Sequence, residues 1–124
     1  MKFVLAKTRR YWWPVTVRLP DPEVPGAVIE QVLRLQFEPY ARDEQLAAQE
    51  RAAACSSLAE LVENETRDAL AQIRNWDDVV GEDGQLVPFT PAALKEALAQ
   101  SWFRRAVQEA LTASLSGEVA RLGN

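Results

Sequence analysis

The sequence predicts an α+β fold: a small antiparallel sheet within residues 1–40, then a predominantly helical part of three to four helices over residues 41–124. The first observation behind this is a change of period, because apolar residues alternate at a spacing of two before Tyr40 and recur at three or four after it. The second is the distribution of helix breakers, since residues 42–76 contain neither glycine nor proline. The third is size: 124 residues at 48% apolar content suit one domain, able to bury a core without disulfides or a structural metal.

Strands are expected over residues 2–7 and 12–19. In the second, Val15, Val17 and Leu19 alternate with Thr16 and Arg18, and Pro14 places the strand at a sheet edge or bulge. From Leu19 to Gly26 three prolines forbid both helix and central strand, so an extended loop is expected. A third strand follows, with Ile29, Leu33, Leu35 and Phe37 on one face and Glu30, Arg34, Gln36 and Glu38 on the other.

After Pro39-Tyr40 the chain turns to good helix formers. Leu58, Leu61, Val62, Ala69, Leu70, Ile73 and Trp76 trace an apolar stripe at helical spacing, opposite Glu60, Glu63, Asn64, Arg67 and Arg74. Residues 42–76 form either one long helix or two, with a break near Ser56-Ser57 or Asn64. Residues 79–87 place two β-branched or apolar pairs around Asp83-Gly84 and read as a hairpin-like loop. Thr90-Pro91 is a cap followed by a first-turn proline, opening a helix that carries Leu94, Ala97 and Leu98. A last helix starts near Ser101, with Phe103, Val107, Ala110 and Leu111 on one face and Gly117 as its stop.

The residue inventory narrows the chemistry. There is no histidine, so His-based triads, histidine general bases and the usual zinc sites have no residue to build on. Cys55 is the only cysteine and sits among alanines and serines, which suits a small helix residue in a reducing compartment. Asp77, Asp78, Glu82 and Asp83 bring four acids into seven residues. Val79 and Val80 interrupt the alternation that a calcium loop needs, so a solvated turn is expected there. The chain is read as non-enzymatic, with no catalytic residue, cofactor or metal. No stretch is long and apolar enough for a membrane span, and the run Phe3 to Ala6 is too short for a secretory core, so a cytoplasmic protein with no membrane partner is expected.

Charge is uneven. The net charge is −4, yet residues 1–20 carry Lys2, Lys7, Arg9, Arg10 and Arg18 with no acid. Such polarity suits head-to-tail association of copies or docking on an acidic partner. Arg9, Arg10, Tyr11, Trp12 and Trp13 also mix cations with stacking rings, the composition used by single-stranded nucleic acid binders. The acidic remainder argues against nucleic acid as the partner. Adjacent strand residues point to opposite faces, so Trp12 and Trp13 cannot share one buried layer; Trp102 and Phe103 pose the same problem on a helix. One ring of each pair is expected to be left for association, and Arg9, Arg10, Trp12, Trp13, Trp102 and Phe103 are the candidate partner-binding residues.

The order Trp76-Asp77-Asp78-Val79, Glu82-Asp83-Gly84 and Pro88-Phe89-Thr90-Pro91, leading through two helices to Gly123-Asn124, resembles the small tail assembly chaperones of long-tailed bacteriophages and prophages. The resemblance implies a mostly helical, homo-oligomeric protein of the host bacterial cytoplasm. Such a protein covers the tail tape measure protein and recruits the tail tube protein around it. A small regulatory nucleic-acid binder using Arg9 to Trp13 is the alternative, and an enzyme subunit without its own active site is a third.

Overall fold

β1 (Tyr11–Pro20) and β2 (Val28–Phe37) form an antiparallel hairpin in the computed structural model, which describes residues 1–117. Tyr11 stands opposite Phe37 and Pro20 opposite Val28. This register buries Val15, Val17, Leu33, Leu35 and Phe37 on one face, as the alternation predicts. The proline-rich connection is more compact than the expected extended loop. The Asp21 and Ala27 backbones close it, the Asp21 carboxylate accepts from the Glu23 N–H at 2.9 Å, and Gly26 supplies a positive φ of 83°.

The sheet has three strands in the order β1-β2-β3, with the antiparallel β3 (Ile73–Asp77) on the far side of β2. Two expectations are corrected here. Residues 1–10 form no strand; they are irregular and exposed, because β1 is the sheet's outer strand and no ladder receives the run Phe3 to Ala6. The third strand comes instead from a segment read as helix. Between Gln36 and Phe37 the β2–β3 register slips, so that Asn75 faces Gln36 while Ile73 faces Phe37, and Arg74 is the extra residue of a bulge. The bulge lets Ile73 and Trp76, three apart, both turn into the core.

Pro14 lies on the outer strand, as expected. The Glu38 N–H donates to Gln72, so the backbone groups of even-numbered β2 residues point toward β3 and those of even-numbered β1 residues toward the open edge. The donors missing at Pro14 and Pro20 therefore cost the ladder nothing.

Residues 42–76 divide into α1 (Arg42–Ala53), α2 (Leu58–Gln72) and β3. The break falls at Ser56-Ser57, where the Ser57 hydroxyl accepts from the Glu60 N–H at 3.1 Å and the Glu60 carboxylate accepts from the Ser56 N–H at 2.9 Å. α3 (Pro91–Leu98) starts on the Thr90 cap, whose hydroxyl accepts from the Ala93 N–H at 3.0 Å. α4 (Ser101–Leu115) runs alongside β1, and Gly117 follows it with φ of 76°. Leu94, Leu98, Phe103, Ala106, Val107 and Ala110 close the core over the inner sheet face. Burying each of its larger side chains contributes about 1.5–3 kcal/mol. Gly123-Asn124 lies outside the described residues.

Candidate functional site

The outer face of the sheet is a ladder of ion pairs. Arg18 pairs with its cross-strand partner Glu30 at 3.0 Å, and Arg34 with its partner Asp77. Glu38 receives Arg10 at 2.8 Å and Arg74 at 2.9 Å. Those hydrogen bonds, Arg10's first, hold the Glu38 carboxyl below its ordinary range. Arg10 and Arg18 are therefore matched by acids from β2 and its end. Lys2, Lys7 and Arg9 have no carboxylate partner among the described residues. The cationic character of the first twenty residues is thereby concentrated in the irregular segment that precedes β1.

The paired aromatics separate as geometry demands. Trp12 lies on the outer sheet face, 44% exposed, while Trp13 is half-buried against the core and stacks edge-on with Tyr11, ring centroids 6.2 Å apart. Trp102 is 47% exposed at the start of α4, and Phe103 belongs to the core. Of the six candidate contact residues, Arg9, Trp12 and Trp102 present themselves outward. Arg10 is tied to Glu38, and Trp13 and Phe103 serve mainly to hold the fold. The rings of the basic aromatic segment lie on opposite faces, so they do not make a single stacking platform.

The acidic turn is built as structure. Val80 and Leu86 bridge across the loop, the Val87 N–H donates to Val79 at 2.9 Å, and the Asp83 carboxylate accepts from the Gln85 N–H at 3.0 Å. Asp78 takes φ of 65°, with its N–H donating to the Asp77 carboxylate at 2.9 Å and its own carboxylate 3.6 Å from Arg34. The Trp76 indole N–H donates to Val87 at 2.8 Å, and its ring meets Phe89 edge-on, which fixes this loop to the core. Among the described residues no three His, Cys, Asp or Glu side chains gather to hold a metal ion. Cys55 donates to the Arg51 carbonyl and is partly covered. No described helix is long and apolar enough to cross a membrane.

The feature that residue-by-residue reading missed is the pair α1–α2. Neither helix contains a buried residue. α1 is alanine-rich with no apolar face, and polar contacts pin it to α2: Asp68 accepts from Arg51 and from the Tyr40 hydroxyl, both at 2.9 Å. Burial and the bond to Asp68, burial first, raise the Tyr40 phenol above its ordinary value. α2 is amphipathic, yet only the carboxy-terminal end of its stripe, Ala69 and Leu70, packs on the core. Its amino-terminal half overhangs, leaving Leu58 81% and Val62 39% exposed beside a shallow groove that Ala59, Thr66 and Leu70 help to line. The stripe itself was legible in the sequence; that its amino-terminal residues Leu58 and Val62 stay exposed was not.

Compared with known protein families, curated proteins and solved structures, the chain gives no match.

Proposed function

We propose that this chain is a non-enzymatic binding protein that covers apolar helical surface on another protein, as a phage tail assembly chaperone covers its tape measure protein. The observation that carries the reading is the overhang of α2, an amphipathic helix with no buried residue. A helix with an apolar stripe is stable in water when the stripe is covered, and another amphipathic helix is the natural cover. Exposed rings at Trp12 and Trp102 supply further apolar contacts of the kind that anchor interfaces. The identity of the partner, a long helical tape measure chain with tail tube subunits recruited later, rests on the resemblance of residues 76–91 to tail assembly chaperones.

Many weak contacts repeated along a long partner suit this arrangement, because a cover that assembly must displace cannot bind irreversibly at each point. Co-expression tests the reading. The long helical product of the neighbouring gene is expected to stay soluble only with this chain, and Leu58→Asp is expected to abolish the effect while leaving the fold intact. Retention of single-stranded nucleic acid with steep salt dependence, and no effect on the helical partner, would overturn it in favour of the segment Arg9 to Trp13.

A further inference from the structure

The acidic turn ends in an apolar pair that the chain itself leaves uncovered. Val80 and Leu86 face each other across the turn in an antiparallel bridge, so their side chains share one face, 56% and 74% exposed. Glu82 and Asp83 lie between them at the tip, and no base occurs from Asp77 to Phe89. The groove beside the α2 overhang has the opposite charge. Arg67 and Lys95 border Leu58 and Val62 there, against the single carboxylate of Glu63. Neither Glu82 nor any of these three groove charges takes part in an ion pair among the described residues.

We propose that the turn at residues 80–86 of one copy docks in this groove of a second copy. Val80 and Leu86 cover Leu58 and Val62, and Glu82 meets Arg67 and Lys95. The inference rests on the reading of the α2 overhang as a docking face and names what occupies it when no helical client is bound.

Charge, spacing and rigidity favour this occupant. An acidic tip is attracted by a groove with two bases and one acid. The exposed segment Phe3 to Leu5 is flanked by Lys2 and Lys7 with no acid, so the same bases disfavour it. Residues paired across an antiparallel bridge lie about 5 Å apart, and residues four apart on a helix about 6 Å, so the two apolar pairs match. The tip is held in shape before it binds: the Gly81 N–H donates to the Gln85 carbonyl at 2.9 Å and the Gly84 N–H to the Gly81 carbonyl at 3.0 Å. Little ordering entropy is lost on docking.

Tip and groove are different surfaces of each copy, so the contact is heterologous and joins copies head to tail. It is small, in the class below about 1,200 Å² in total, and association in the upper micromolar range is expected. A client helix competes for the same stripe, so self-association gives way as client is covered.

The test is sedimentation and light scattering of the full chain with Leu86→Lys and Leu58→Asp, circular dichroism checking that each variant keeps its helix content. Each substitution removes an apolar contact and adds a repelling charge, and is expected to weaken self-association at least about tenfold. Mixing the two variants is expected to restore a dimer that neither forms alone, because one supplies an intact groove and the other an intact tip. Glu82→Lys and Lys95→Glu are each expected to weaken association about threefold, and their combination in one chain to bring it back toward wild type.

A wild-type chain that stays monomeric up to about 1 mM overturns the proposal. So does unchanged association of Leu86→Lys, a mixture that fails to associate, or a combined charge variant no tighter than either single one. If Leu86→Lys associates normally while Leu58→Asp loses the helical client, this proposal falls and the docking reading of α2 stands. If Leu58→Asp loses neither client nor self-association, both fall.

Discussion

The hydroxyls of Tyr11 and Ser114 meet at 2.7 Å, joining the first residue of β1 to the last turn of α4. Ser114 also donates its hydroxyl proton to the Leu111 carbonyl at 2.8 Å, which makes Tyr11 the donor between them. Tyr11→Phe removes that bond and keeps the ring contacts with Trp13 and Phe37. It is expected to cost about 0.5–1.5 kcal/mol in chemical denaturation with no change in helix content.

Glu38 links Arg10 and Arg74, and its carboxyl is held below the ordinary range. A carboxyl depressed in the folded state contributes stability that is present above its unfolded value, about 4.3, and is lost as pH falls through the folded value. Glu38→Gln is therefore expected to lower the denaturation midpoint at neutral pH. The difference from wild type is expected to shrink as pH drops below about 4. A difference that is constant with pH would show that packing, not ionisation, sets the effect. The pair is exposed, so salt is expected to reduce it as well.

Asp68 is the pin between α1 and α2. A twelve-residue helix with no buried residue is marginal alone, so α1 depends on the bonds that Arg51 and Tyr40 give to this carboxylate. Asp68→Asn is expected to raise amide hydrogen exchange in α1 while leaving α3 and α4 protected. It is also expected to bring the Tyr40 phenol down toward its ordinary value, read by phenolate absorbance, because the carboxylate no longer opposes ionisation.

Trp102 and Phe103 adjoin in sequence and differ in consequence. Trp102→Ala is expected to change stability by less than about 0.5 kcal/mol, whereas Phe103→Ala is expected to cost about 3–5 kcal/mol by emptying part of the core. In a client capture assay the order is expected to reverse, with folded Trp102→Ala the weaker binder.

Most elements could be read from local patterns, and the exceptions have identifiable causes. β2, the Thr90 cap of α3 and the start of α4 carry signals within a few residues of themselves. The break between α1 and α2 carries one too: Ser57-Leu58-Ala59-Glu60 has the serine and glutamate spacing of a helix start. The segment Phe3 to Ala6 is apolar enough for a strand, but a strand exists only where a neighbour receives it, and that is not written locally. The candidate surface was legible in part. Neighbouring aromatics announced that Trp12 or Trp13, and Trp102 or Phe103, must face outward. That Leu58 and Val62 of α2 would stay exposed depends on where α3 and α4 pack, which is a property of the whole fold.

The bulge at Arg74 bears on the order in which the chain folds. Ile73 and Trp76 satisfy two periods at once: as a continuation of α2 they extend its apolar stripe, and as β3 they face the core only because the extra residue resets the alternation. Before β2 is in place nothing favours the second arrangement, and helix can run on past Gln72 through Trp76. The β1–β2 hairpin is the template that ends this ambivalence. Docking of β3 is then expected to come late and to bring the Trp76 indole to the Val87 carbonyl, where it donates in the folded protein. In stopped-flow refolding of a variant in which Trp12, Trp13 and Trp102 are replaced by Phe, so that Trp76 is the one fluorescent indole, far-ultraviolet ellipticity is expected to overshoot the native helical signal and relax in step with the fluorescence change, a transient helix traded for the last strand of the sheet.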